Sequence, residues 1–295
     1  MSDTDWLVDG FEQNRGRLRA VAYRMLGSLA DADDAVQETW LRVSRSGAGG
    51  IDNLGAWLTT VVARVCLNAL RSRKTRREEP LGVHVPDPII GRPEERNPED
   101  ELLLADSVGL ALYVVLETLT PAERLAFVLH DMFDLPFDEI APMVGRSPAT
   151  ARQLASRARR RVRGADVHVP DPDLGRQREV VDAFFAAARN GDLDALVAVL
   201  DPDVVLRSDG GTARPGGTDV VHGAASVAGQ AVMFHQPSAW LRPALINGAA
   251  GVVVIVGGEV FSVLGFTVSD GKIVEIDALV DPQRLRRLDL SALDA

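Results

Sequence analysis

Hydrophobic periodicity changes once along this 295-residue chain, and that change limits the folds open to it. From residue 4 to about 200, apolar side chains recur at i, i+3, i+4 and i+7, the repeat of amphipathic helices. Beyond 200 they alternate in short β-branched runs, punctuated by Gly and Asp-Gly as tight turns require. Helices followed by strands describe all-α parts and then an α+β domain.

In the first helix, predicted over 4–28, Leu7, Phe11, Leu18, Val21, Ala22, Met25 and Leu26 share a face, and Gly27 ends the run. Asp31 is the expected N-cap of a second helix, 31–44. There Val36, Trp40 and Val43 form one stripe, while Asp34, Gln37, Glu38 and Leu41 form another. A third helix carries Leu54, Trp57, Leu58, Val61, Val62 and Val65 and ends in a basic run, 71–77. Prolines at 80, 86, 88, 93 and 98 then exclude a helix or central strand. This stretch is expected to be a linker with extended segments. The hexapeptide VHVPDP stands at 83–88 and again at 167–172, and both copies are read as stiff, extended joints.

Residues 120–163 carry the most specific pattern. Thr120, Pro121 and Glu123 make a capping box with proline at the first helical position. The helix they open, 122–132, precedes a short one, 137–144, whose Phe137, Ile140, Ala141 and Val144 face inward. Gly145 stands where a tight turn needs positive φ. Ser147 and Pro148 then start a helix to 163 bearing Thr150, Arg152, Gln153, Ser156 and Arg157. A helix, a short turn and a second, basic helix are the parts of a DNA-reading helix-turn-helix. Arg pairs with guanine O6/N7 and Gln with adenine N6/N7, while the arginines at 159–163 suit phosphates.

Charge placement agrees. The net charge is −10, but residues 166–295 hold 10 Lys and Arg against 18 Asp and Glu, leaving the first 165 near neutral. Within these, 146–163 has seven arginines and no acid, the electrostatic footprint of nucleic-acid binding. No apolar run reaches the ~20 residues a bilayer needs. The first residues lack a signal peptide's pattern, so a cytoplasmic protein with no membrane partner is expected. One cysteine, Cys66, excludes an internal disulfide and a Cys-based zinc site. There is no G-x-x-x-x-G-K loop and no metal-ligand cluster, so no cofactor and no metal are expected.

Strands are predicted at 204–207, 240–246, 252–256, 260–268 and 273–280, antiparallel, after helices at 176–189 and 193–200. Asp209, His222, His235, Glu259 and Asp277 are the acid/base candidates among them, but no recognisable pair emerges and no catalytic residue is assigned. A pocket for a small ligand remains open as a reading of this domain.

The segment LTPAERLAFVLHDMFDLPFDEIAPMVGRSPATARQLASRARRRVR resembles the promoter-binding C-terminal domain of extracytoplasmic-function (ECF) sigma factors. DADDAVQETWLRV (31–43) resembles the helix by which that family binds core RNA polymerase. AWLTTVVARVCLNALRSRK (56–74) is similar to the helix that melts and reads the −10 element. Residues 174–290 look like a SnoaL-like domain, a cone-shaped fold that a subgroup of these sigma factors carries in place of a separate anti-sigma factor. The chain is thereby identified as a multidomain member of that family.

The implied domains are 1–78 (core polymerase and −10 binding), a linker 79–100, a helix-turn-helix domain 101–165, a linker 166–174 and the α+β cone, 175–290. The resemblance implies that Asp34, Gln37, Glu38 and Leu41 face the polymerase. It implies that the loop at 46–56 holds a flipped base. Arg71, Arg73 and Lys74 would meet DNA near the −10 element. Arg146, Thr150, Arg152, Gln153, Ser156, Arg157 and Arg160 would meet the −35 element. Two subgroup marks are matched in altered form, by HVPDP (84–88) and DGGTA (209–213). They imply a regulatory contact within the chain through His84, Pro86, Asp87, Pro88, Asp209, Gly210 and Gly211. Asn and Asp, frequent in relatives, are replaced here by Arg64 and Asn68.

Overall fold

The computed structural model describes residues 3–46, 53–76, 84–91, 109–164, 168, 170–211, 218–233, 238–290 and 293. They fall into two compact units. One comprises 3–76 and 115–164; the other comprises 84–91, 109–114 and the residues from 168 onward.

The first unit opens with α1 (Asp3–Leu26), α2 (Leu29–Ser46) and α3 (Leu54–Arg76), which pack on one another. Leu18, Val21, Tyr23, Met25, Leu58, Val62 and Cys66 fill their core. Gly27, at φ 71, turns the chain between α1 and α2. The second helix begins earlier than expected, because Ser28 rather than Asp31 caps it: the Asp31 amide donates to Ser28 Oγ at 3.3 Å. A hydroxyl three residues ahead satisfies the orphan amide as well as a carboxylate would. Asp31 is instead ion-paired with Arg73 of α3.

Helix α4 (Gly109–Glu117) precedes α5 (Pro121–Phe127), which continues as a π-helical turn over Val128–Met132. The expected capping box is present, with Thr120 N donating to Glu123 at 3.1 Å and Glu123 N to Thr120 Oγ1 at 3.4 Å. Helices α6 (Phe137–Val144) and α7 (Pro148–Gly164) follow, joined through Gly145 at φ 66. Within this unit α3 packs against α5 and α6, and α1 against the π turn. Buried Arg124 of α5 holds that packing: its Nη1 donates to Met25 O of α1 at 2.9 Å and to Glu117 at 2.8 Å. Phe133 lies under the guanidinium groups of Arg24 and Arg17, 5.0 and 6.0 Å from its ring centre.

In the second unit α8 (Leu174–Asn190) and α9 (Leu193–Val199) lead into β2 (Leu200–Asp209), β3 (Asp219–His222) and α10 (Ala224–Met233). The strands β4 (Trp240–Ile246), β5 (Ala249–Val256), β6 (Glu259–Ser269) and β7 (Lys272–Leu279) form a meander, closed by α11 (Pro282–Leu285). Counting β1 (Ile90–Gly91), the sheet order is β1-β4-β5-β6-β7-β2-β3. The expectation of a wholly antiparallel sheet is corrected at one place: β2 and β7 run parallel. Three hairpin steps bring β7 back beside β2, and α10 supplies the crossover a parallel pair needs. Register shifts, with the extra residues on β2, β6 and β7, bend the strands.

The sheet separates two cores. Val204, Val252, Val254, Phe266 and Ile276 join Val181, Phe184 and Leu196 of the helices. The next residues along the same strands face the other way. There Val253, Val263 and Leu279 pack with Val85, Ile90 and Leu285. The rings of Phe184, Phe185 and Phe266 meet edge to face at 5.4 to 5.8 Å on the helical side.

Candidate functional sites: two exposed helical faces and a buried clasp

On α7, Ala151, Ala155 and Ala158 are fully buried against α5 and α6. The opposite face exposes Arg152, Gln153, Ser156, Arg157 and Arg160, with Arg146 just before the helix; Thr150 is half-buried. Helical spacing of three and four places them in one stripe. Ser147 Oγ accepts from the Thr150 amide at 3.3 Å and so caps the helix. The later arginines divide: Arg159 pairs with Asp131 at 2.6 Å and Arg161 with Glu123 at 2.9 Å, tying α7 to α5 and its π-helical turn. Arg160 and Arg163 stay exposed. Arg159 and Arg161, expected to suit phosphates, are thus each ion-paired within the protein, to an element that sequence spacing does not connect.

On α2, Asp34, Gln37 and Leu41 are exposed and Glu38 is half-buried, paired with Arg42 at 2.7 Å. Leu41, 40% exposed, is the apolar member of this polar stripe. At the end of α3, Arg71 is exposed, whereas Arg73 donates to Leu26 O at 3.4 Å and pairs with Asp31. Arg73 thus has an internal role that its place in a basic run conceals. The side chain of Lys74 and most of the loop at 46–56 lie outside the described residues. Arg64 and Asn68 are exposed.

The third cluster lies wholly in the second unit. Pro86, Asp87 and Pro88 are buried, not strung out as a joint. Ile90 and Gly91 extend the sheet by pairing with Ile246 and Leu245 of β4. Ile89 exchanges hydrogen bonds with Asn247 at 3.0 and 2.9 Å. At the centre stands Arg284, which sequence reasoning missed. It donates to Asp87 at 2.7 Å, Asp209 at 2.7 Å and Val85 O at 2.6 Å. Asp209 also accepts the amides of Val85 at 2.9 Å and Gly211 at 3.0 Å, and His84 Nδ1 lies 3.2 Å away. Burial pushes the Asp209 carboxyl up, but His84, Arg284 and the two amides outweigh it and hold its pKa below the usual carboxylate value.

The expectation of a linker with extended segments at 79–100 is thus refined for 84–91, which is extended but forms the sheet's edge strand and half of a clasp. Sequence showed prolines; it did not show that a guanidinium 197 positions from Asp87 completes the clasp. The repeated hexapeptide behaves alike in its second copy. Asp171, the counterpart of Asp87, accepts the Asp270 and Gly271 amides at 3.2 Å. Both aspartates pin an extended segment to this domain.

Gly211 shows how tightly the clasp is built. It has φ +58, and a Cβ there would come 2.1 Å from Asp281 Oδ2, in the carboxylate that caps α11. Gly211→Ala is expected to destabilise the second unit by about 2–4 kcal/mol, combining αL strain with displacement of that cap. Urea unfolding of the full chain checks it.

Among the acid/base candidates, Asp209 belongs to this clasp and Asp277 to a buried triad. Arg207 donates to Asp277 at 3.1 Å and to Glu275 at 3.0 Å, and Glu275 Oε2 is buried with no partner. Both lie on the sheet face away from α8–α10. Burial, reinforced by Glu275 and opposed by Arg207, pushes the Asp277 carboxyl up to about 6. His222 and Glu259 are exposed, and His235 lies outside the described residues. Cys66 is buried, its thiol pushed up to about 12, so it stays protonated. Among the described residues no acidic, His or Cys group fits a metal ion, and no helix is long and apolar enough to cross a membrane.

The helical faces and the helix-turn-helix define a sigma-70 type transcription factor. Sigma-70 region 2 matches residues 11–76 and sigma-70 region 4 matches residues 109–162. The chain belongs to the ECF RNA polymerase sigma factors. It is 37% identical over 294 residues to the probable ECF sigma factor SigI of Mycobacterium tuberculosis, covering 97% of each chain. It is 38% identical over 290 residues to SigJ of the same species, covering 94% of this chain and 92% of that one. The crystal structure of M. tuberculosis SigJ is similar with a TM-score of 0.75 at 35% identity, over 94% of this chain and 97% of that one. The likeness to the SigJ structure, over 94% of this chain, takes in the sheet domain as well as the helical regions. As a sigma factor, the chain acts with core RNA polymerase on promoter DNA.

Proposed function

We propose that this sigma factor is regulated in cis by its SnoaL-like domain, which takes the place of a separate anti-sigma protein. The observation that carries the reading is the Arg284 clasp, which gathers residues 84–91 into the sheet domain. That segment separates the polymerase-binding from the −35-binding part, so holding it restrains the reach between them. A second observation agrees. The −10 and −35 elements stand about 25 base pairs apart, or about 85 Å at 3.4 Å per step. A compact unit of roughly 130 residues has a radius of gyration of about 14 Å. The helices bearing the two reading faces pack within one such unit. Reading both elements at once requires them to part, and the clasp opposes it. The domain's role in this reading is non-enzymatic.

The same reading gives Asp34, Gln37, Glu38 and Leu41 the polymerase, Arg71 and Lys74 the −10 region, and the exposed stripe of α7 the −35 element. Run-off transcription with purified core polymerase tests the regulation. The chain cut after residue 170 is expected to outproduce the full chain at least threefold; equal output at every salt concentration would remove the claim. Charge reversal at Arg152 and Arg157 tests the −35 face. Promoter occupancy is expected to fall at least tenfold, since each reversal removes a partner for phosphate or base and puts an acid against the DNA.

A further inference from the structure

We infer that Phe137 is a positioning residue for −35 recognition, holding Arg152 in place before DNA arrives. The guanidinium carbon of Arg152 lies 5.2 Å from the centre of the Phe137 ring. Arg152 is exposed on the stripe of α7, while Phe137, at the first position of α6, is buried. The ring is itself held. His130 lies 3.9 Å from it, centre to centre, at 33°, and His130 Nδ1 is 2.9 Å from Leu135 O. An exposed arginine otherwise samples many rotamers, and ordering it on binding costs entropy. Stacked on a ring it keeps its charge, its planar fork and most of its donors, so it meets a guanine edge with less freedom to lose. Neighbours on the stripe such as Arg157 and Arg160 have no such ring contact among the described residues. Arg152 is therefore the side chain best prepared to select a base, and Phe137 sets that selectivity without touching DNA.

The inference rests on Arg152 reading the −35 element, as proposed above. The experiment uses full-length chain with core polymerase and a library of promoter duplexes randomised across the −35 element, sequenced after selection. Arg152→Ala is expected to flatten the preference at one base pair. Phe137→Met keeps a long apolar side chain in place and removes the π face. It is expected to weaken that same preference about 2- to 5-fold, the worth of an exposed cation–π contact, and to leave the other positions unchanged. Phe137→Tyr is expected to retain it. If the methionine variant fails to fold, as its thermal midpoint will show, His130→Ala disturbs the ring from behind and must weaken the same position. A Phe137→Met chain that keeps the preference abolished in Arg152→Ala overturns the inference. So does one that loses preference at every position alike, which marks a merely structural ring. If Arg152→Ala flattens no position, the reading of Arg152 itself falls, and this inference with it.

Discussion

Replacing Arg284 with methionine is expected to cost the second unit about 3–5 kcal/mol and to raise promoter output toward that of the truncated chain. The cost follows from what remains behind. Asp209 and Asp87 keep only 5% and 11% side-chain exposure, and both point at the place the guanidinium leaves. Breaking a buried pair by removing one partner strands a charge in low dielectric, which is worse than having neither. The main chain at Val85 loses a donor too. Residues 84–91 are then held by the short pairing with β4, the Asn247 bonds, the Val85 amide on Asp209 and the packing of Val85 and Ile90. A double replacement, Arg284→Met with Asp209→Asn, removes the stranded charge and is expected to recover part of the stability but not the restraint. Urea unfolding and run-off transcription together decide the matter. A destabilised chain with unchanged output would show that the clasp supports the fold and nothing else.

Asp277→Asn is expected to act in the opposite direction, stabilising the second unit by about 2–3 kcal/mol above pH 6. The sign follows from linkage. The folded carboxyl titrates near 6, above its ordinary value of 3.8. The folded state therefore holds a proton that the unfolded chain has already released, and stability falls as pH rises from about 4 through 6. Each pKa unit is worth about 1.4 kcal/mol, which sets the scale. Asparagine keeps an acceptor for Arg207, which stays hydrogen-bonded to Glu275. The variant's stability should be nearly flat over this interval, and its gain should vanish below about pH 4. Asp209 contributes with the other sign: its depressed pKa gives stability above the ordinary carboxylate value that is lost as pH falls further. The native unit is accordingly expected to be most stable near about pH 4, falling off on both sides. Thermal unfolding of both chains from about pH 4 to 8 checks this; parallel curves would rule it out.

Much of the helical half was legible from sequence. The capping box at Thr120 and Glu123 and the positive φ of Gly145 follow from local chemistry, in which each residue's partner lies within four positions. The stripe at Asp34, Gln37, Glu38 and Leu41 was readable for the same reason. Local signals failed where a partner was distant. Asp31 looks like a helix cap but serves Arg73, and Arg159 and Arg161 look like phosphate ligands but hold α7 to its neighbour. Helix α10, rich in Ala, lacks the polar contrast that reveals periodicity, and β1 is too short to show any.

The order of residues alone determined the helical and β portions, the helix-turn-helix and its arginine stripe, because backbone periodicity and capping depend on near neighbours. Tertiary structure decided which charges are free to meet a partner, that β2 and β7 lie parallel, and that a proline-rich stretch becomes an edge strand clasped by Arg284. Those outcomes depend on residues brought together across as much as 199 positions of chain, and pairing at that separation leaves no periodic trace in a sequence.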